Sequence, residues 1–213
     1  MQTRTPLTRE RVLEAAVALA DDGGIKSLTM RKLAAELGVE AMSLYHHVAN
    51  KDEILDGILD VIAGEIELTT EGGWKAATRI RAVSAQEALA RHPWAGALWV
   101  SRLNIGPARM RYMDVALRTF RSGGLSEDLT HHAYHVVENH VIGYTLQQLN
   151  FGVDMDNLDE LGKEFLAQLP AEDYPDLALH VRQHMDPVEA DETEFGFGLR
   201  LILDGIERLH LDS

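Results

Sequence analysis

The sequence predicts an all-α protein: an N-terminal three-helix domain containing a helix-turn-helix, joined by a linking helix to a larger helical bundle. Three observations predict this. Apolar residues recur every three or four positions along most of the 213-residue chain, which is the period of a helix and not of a strand. Glycine and proline cut the chain into helix-length pieces, several preceded by Ser, Thr or Asn, the residues that cap helix N-termini. Charge is divided unevenly. Residues 1–51 hold seven basic and six acidic side chains, a sum of +1, so the other 162 residues carry −15 of the net −14.

Taken in order, Val12, Ala16, Leu19 and Ala20 make one apolar stripe, with Thr8 as N-cap and Gly23-Gly24 as the stop. Thr29 caps a second helix whose inner face is Leu33, Ala34 and Leu37. Gly38 follows where a left-handed C-terminal residue belongs. Residues 40–46 form a short third helix. Asn50 and Glu53, three apart, open a longer fourth helix in the manner of a capping box. It buries Ile54, Leu55, Ile58, Leu59 and Ile62 and runs to about Leu68. "TTEGGW" then breaks the pattern, which places a boundary between a domain at 1–68 and one at 69–213. Helices follow at 74–91, 94–103 and 107–121, with joints at Pro93 and Gly106-Pro107. A long helix runs from Ser126 to about Asn150, with Glu127 and Asp128 in its first turn as the macrodipole prefers. Shorter helices are expected at 156–169 and after Pro175, Pro187 closes that region, and a last helix covers 191–211.

Composition excludes several classes. Cysteine is absent, so disulfides, thiolate metal sites and cysteine nucleophiles are excluded. No apolar run reaches the roughly 18 residues of a membrane span, and the N-terminus has no apolar signal core. A cytoplasmic location with no membrane partner is expected. An acidic protein is a poor match for nucleic acid as a whole, but only the docking surface must complement phosphate. The near-neutral N-terminal segment is the one candidate for such a surface.

Helix, glycine turn, helix over residues 29–46 has the spacing of a helix-turn-helix, whose second helix enters the major groove. Leu33, Leu37, Val39, Leu44 and Val48 can pack it together, leaving Ala41, Met42, Ser43, Tyr45 and His46 outward. Ala41 and Met42 can meet a thymine methyl, and Ser43 can bond a base or a phosphate. Tyr45, His47 and Lys51 are donors suited to phosphate oxygens, and Thr29 and Arg31 to the flanking strand. The competing reading of the spacing is a three-helix cap with no nucleic-acid partner.

The stretch "LTMRKLAAELGVEAMSLYHHVANKDEIL", residues 28–55, resembles the N-terminal domain of the TetR family of bacterial transcriptional repressors. Gly38-Val39, Leu44-Tyr45, His47-Val48 and Asn50-Lys51 before an apolar helix carry the resemblance, which extends over about residues 8–68. It implies that Arg31, Ala41, Met42, Ser43, Tyr45, His46, His47 and Lys51 face double-stranded operator DNA. Met42 stands where the tetracycline repressors have proline and His46 where they have tryptophan, so their operator does not carry over. "FGFGLRLILDGIE", residues 195–207, resembles the last helix of the tetracycline-repressor-like subgroup, which pairs across a homodimer. Gly198, Ile202, Gly205 and Leu209 are the expected interface residues there. An intrachain contact is the other reading of those glycines. A dimer suits palindromic DNA, whose half-sites lie about 34–36 Å apart.

The second domain reads as a receptor for a small-molecule effector, with aromatic and polar residues among its apolar ones, as bundle pockets have. The candidates are Trp99, Tyr112, Met113, Tyr134, His135, Glu138, Asn139 and Tyr144, with Trp94, Phe120, Gln147 and Phe151 in the wider set. Residues 134, 138, 141 and 145 form one helical row and 135, 139 and 142 a neighbouring one, and the sequence does not choose between them. The tetracycline repressors hold a drug–magnesium complex through a histidine near the end of the fourth helix. Residues 63–70, "AGEIELTT", contain none, so that ligand is not expected. His131, His135 and Glu138 have a spacing that could hold a divalent metal, and with them comes the competing reading of a helical-bundle metal-dependent enzyme. His140 lies in the same region. No metal and no cofactor is assigned, because nothing else in the sequence supplies a ligand motif and exposed helix histidines are common, and the enzyme reading lacks a nucleophile–base or phosphate-loop motif.

Overall fold

The computed structural model describes residues 6–150, 158–185 and 192–212, and among these the chain forms α-helices with no strand. Phe151 and Pro187 lie outside the described residues. The first helix, α1 (Arg9–Gly23), begins as predicted: Thr8 Oγ1 accepts the Arg11 N–H. It buries Val12, Ala16 and Ala20 and ends at Gly24, whose φ of +69° suits glycine alone. In α2 (Met30–Glu36), Thr29 accepts the Lys32 N–H. The turn after it is a Schellman closure: Val39 N–H reaches Ala34 C=O and Gly38 N–H reaches Ala35 C=O, with Gly38 at φ +63°. A side chain at Gly38 meets the left-handed penalty. Gly38→Val is expected to lower stability by about 1–2 kcal/mol, read as a drop in the urea midpoint at unchanged slope.

The third helix, α3 (Ala41–Leu44), is shorter than the predicted 40–46. Tyr45, His46 and His47 N–H groups bond three residues back, to Met42, Ser43 and Leu44, so the chain tightens into a turn. In α4 (Lys51–Gly64), Asn50 Oδ1 accepts the Glu53 N–H at 2.9 Å and Glu53 Oε2 reaches back to the Ala49 N–H at 2.7 Å. This helix buries Ile54, Ile58, Leu59 and Ile62. It stops four residues before Leu68 because the Glu65 N–H turns inward to the Ile62 carbonyl.

The remaining helices are α5 (Gly73–Arg91), α6 (Ala95–Ser101), α7 (Pro107–Ser122), α8 (Glu127–Asn150), α9 (Leu158–Gln168), α10 (Pro175–Met185) and α11 (Glu194–Leu211). α8 packs against α5, α7 and α11, and α9 pairs with α10. α4 packs on α1 at one side and on α7, α5 and α6 at the other. It is the element shared between the helix-turn-helix and the bundle. Gly57 permits the α1 approach, since a β-carbon there would sit 2.6 Å from a Leu13 methyl.

Candidate functional site

The helix-turn-helix divides its side chains sharply. Leu44 is 0% exposed and Val48 2%, both in the core, whereas Met42 on the same helix is 71% exposed and Tyr45 46%. Thr29, Arg31, His46 and Lys51 are exposed, and Ala41, Ser43 and His47 are half-buried. Lys51 opens the first turn of α4, where the helix dipole disfavours a cation. A cation placed there gains by meeting an external anion.

Two polar latches join α1 and α4 to the bundle. In the first, Asp21 of α1 accepts from Trp94 Nε1 at 2.6 Å and faces His92 Nδ1 at 2.8 Å. The other ring nitrogen of His92 faces Glu65, 3.3 Å away, and Glu65 also receives Arg91 Nη2 at 2.8 Å. In the second, Asp52, Asp56 and Asp60 lie one turn apart along α4. Arg102 donates through Nε to Asp56 and through Nη1 to Asp52, Asn104 donates to Asp56 at 2.8 Å, and Asp60 accepts the Arg109 N–H at 2.9 Å. Asp60 thus caps α7 from another helix, where Gly106 at the N-cap offers no side chain. The hydrogen bond from Arg102, with that from Asn104, holds the Asp56 carboxyl below its ordinary range against the opposing effect of burial. Beside this latch, a half-open cleft of about 460 Å³ lies between α4 and α7, lined by Asp60, Ala63, Gly64, Pro107, Ala108 and Arg111.

Inside the bundle is a cluster that sequence reading only half found. Arg81 of α5 is 1% exposed. Its Nη1 donates to Glu138 Oε1 at 2.8 Å and to the Tyr112 hydroxyl oxygen at 3.1 Å, and the Tyr112 hydroxyl itself donates to the same Glu138 oxygen at 2.7 Å. Trp99 stands edge-on to Tyr112 with ring centres 5.9 Å apart, and Arg109 stacks on Trp99 at 4.6 Å. Burial, then the Glu138 carboxylate, pushes the Tyr112 hydroxyl well above its ordinary value. The same two causes push Tyr134 up to about 12. Burial pulls the Arg81 guanidinium down, and Tyr112 and Glu138 more than offset it. Arg81 Nε and Nη2, Arg109 Nη1, Thr78 Oγ1 and Thr130 Oγ1 are buried without a hydrogen-bond partner among the described residues.

Of the predicted ligand set, Trp99, Tyr112, Tyr134 and Glu138 therefore belong to one neighbourhood, and Met113 is half-buried against the core. The structure places three others elsewhere. His135 and Asn139 are exposed in the single chain, because α8 turns the Tyr134–Glu138–Val141–Thr145 row inward. Tyr144 lies on the α11 side, 5.3 Å from the Phe195 ring. The His131–His135–Glu138 spacing, to which no metal is assigned, is not one face in the structure. The His131 and His135 rings lie 4.6 Å apart on the exposed face, whereas Glu138 points inward to Arg81. No group of three or more ligating side chains occurs among the described residues. Arg81 and Arg109 were missed. Their signal was register, since Arg81 falls four residues from both buried Ala77 and Ala85, and Arg109 three before buried Tyr112.

On α11 the inner row is Phe195, Leu199, Leu203 and Ile206. The close approach at Gly198 is made within the chain: a β-carbon there would sit 2.6 Å from the His140 ring of α8. Of the two readings of that glycine, this contact is the intrachain one. Ile202 is half-buried, Gly205 has open space around it, and Leu209 is exposed, alongside exposed Phe197 and Leu201 that the sequence reading did not name.

Residues 12–58 match the family described as bacterial regulatory proteins, tetR family, and residues 68–210 match the tetracyclin repressor-like C-terminal domain. The HTH-type transcriptional repressor DrrR1 of Streptomyces coeruleorubidus is 36% identical over 95% of this chain and 78% of its own length. Apo ActR of Streptomyces coelicolor is 29% identical with a TM-score of 0.79, covering 98% of each chain, and ActR is also known in complex with actinorhodin. SCO7222, a TetR from Streptomyces coelicolor, is 27% identical with a TM-score of 0.81, over 96% of this chain and all of that one. These relatives are regulators and not enzymes, so the metal-dependent enzyme reading has no support. Since the C-terminal family match alone spans well over half of the sequence and DrrR1 aligns with nearly all of it, the chain belongs to the TetR family of bacterial transcriptional regulators.

Proposed function

We propose that the protein is a homodimeric cytoplasmic repressor that binds palindromic operator DNA through residues 1–68 and is released when a small organic molecule enters residues 69–213. The observation that carries this reading is the two-sided third helix: Leu44 locked in the core, Met42 and Tyr45 in solvent. Met42, Ala41 and Ser43 read base edges. Tyr45, His47, Lys51, Arg31 and Thr29 grip phosphate, and His46 sits between the two groups. Ile202, Gly205 and Leu209, with the exposed Phe197 and Leu201, supply the apolar face of α11 for the partner copy. The effector occupies the neighbourhood of Trp99, Tyr112, Tyr134 and Glu138. The complex of ActR with actinorhodin supports a small-molecule role for such a domain.

Release is a population shift. The effector favours one tilt of α4, and with it one separation of the two recognition helices. The Asp60–Arg109 bond joins α4 to the helix that carries Tyr112, which gives that tilt a physical route.

The test is a mobility shift on flanking intergenic DNA across a salt series. Retention should fall steeply as salt rises, because phosphate contacts release counterions. Absence of retention at every salt concentration would exclude the reading. Lys51→Ala should weaken binding to all sequences by a similar factor and reduce the salt slope by about 2, one phosphate contact being lost from each subunit. Ser43 or Met42 substitutions should instead change which operator is preferred.

A further inference from the structure

We propose that the effector is a flat, ring-bearing carboxylic acid, and that its carboxylate is taken by the Nε–Nη2 edge of Arg81. This rests on the effector-binding reading above and names the chemistry of that site. A guanidinium has one edge whose two N–H bonds point the same way in parallel. It is the Nε–Nη2 edge, and it matches the two oxygens of one carboxylate. In Arg81 both of these donors are buried and neither has a hydrogen-bond partner among the described residues. The resident carboxylate does not use that edge. Glu138 engages Nη1 through Oε1 alone, and the Tyr112 hydroxyl holds that same oxygen.

A buried donor without a partner costs free energy, and two on one cation cost more. The fork is therefore held in place by Glu138 and Tyr112 and is complementary to a planar oxyanion. The surroundings select the rest of the ligand. Trp99 meets Tyr112 edge-on at 5.9 Å, and Arg109 is stacked on Trp99 with a further unpartnered donor, Nη1. Tyr134, half-buried, lies within the electrostatic reach of both arginines. Ring faces with a few fixed donors suit an aromatic body carrying one acid group.

The experiment is calorimetry on the full-length protein with benzoate, 2-naphthoate and anthraquinone-2-carboxylate, each paired with its primary carboxamide. The amide keeps the shape and loses the charge. At least one acid should bind, and its amide should bind about tenfold or more weakly. Arg81→Lys keeps a cation beside Glu138 but lacks the parallel pair, so the acid-to-amide affinity ratio should fall about tenfold. Glu138→Gln removes the neighbouring negative charge and should raise the acid-to-amide affinity ratio. It decides the matter if Arg81→Lys fails to fold. The proposal is overturned if no acid binds at millimolar concentration, if acid and amide bind alike, or if neither variant alters the acid-to-amide ratio. The same preparations are run on operator DNA. Salt-sensitive retention with no acid binding removes the ligand assignment and leaves the regulator reading intact, whereas loss of retention removes the latter.

Discussion

Arg81→Met is expected to destabilise the protein by about 3–5 kcal/mol, the cost of leaving a largely buried carboxylate without its cation. Among the described residues the hydrogen-bond partners of Glu138 are Arg81 Nη1 and the Tyr112 hydroxyl, and Arg81 is its one basic partner. The double variant Arg81→Met/Glu138→Leu should regain more than half of that loss, because a buried ion pair is often no more stabilising than well-packed apolar groups of similar volume. Urea unfolding at fixed protein concentration measures both, since dimer stability depends on concentration. The two outcomes separate roles. If the double variant is near wild type, the pair is not retained for stability, which is the pattern expected of a site kept for a ligand. If the double variant is as unstable as the single one, the pair holds α5, α7 and α8 together.

What was legible in the sequence was local. Thr8, Thr29 and Asn50 each cap a helix within three residues of themselves, and Gly38 takes its left-handed conformation for a reason contained in residues 34–39. Leu33, Leu44, Val48 and the Ile54–Ile62 row follow from period alone. What was not legible depended on distant partners. Arg81 reads as a surface residue until Glu138 and Tyr112, 57 and 31 residues away, are seen to enclose it. Helix α5 concealed its inner face because alanine dominates it, and alanine marks burial weakly. The choice between the two rows of α8 needed the position of α5. At Gly198 the sequence leaves a second copy and an intrachain contact both open, because nothing in its own helix reveals that His140 lies beside it. The turn at Tyr45–His47 shortened α3 through three-residue hydrogen bonds that propensity does not foresee.

Arg102→Ala should unfasten the latch between α4 and the bundle, at a cost of about 2 kcal/mol for hydrogen bonds to a charged group. Asp56, with its side chain 13% exposed, would keep Asn104 as its hydrogen-bond partner among the described residues. The pH dependence has a fixed sign. The folded Asp56 carboxyl is depressed, so the stability it contributes is present above the unfolded value of about 4 and is lost as pH falls through the lower folded value. The gap between wild type and variant should thus be full at neutral pH and close on acidification below about pH 4. The effect on DNA is bounded by the same free energy. An unfastened α4 samples orientations with the wrong separation of recognition helices, and apparent operator affinity falls by the fraction of time the correct one is lost. A latch of about 2 kcal/mol cannot lower affinity by more than about thirtyfold per subunit, or about a thousandfold for a dimer that loses both latches. A fall within that bound, with the salt slope unchanged because no phosphate contact is removed, identifies the Arg102–Asp56 pair as a positioning device for α4. Unchanged affinity alongside lowered stability would assign the pair to folding alone, and a change in the salt slope would mean that Arg102 itself reaches the DNA.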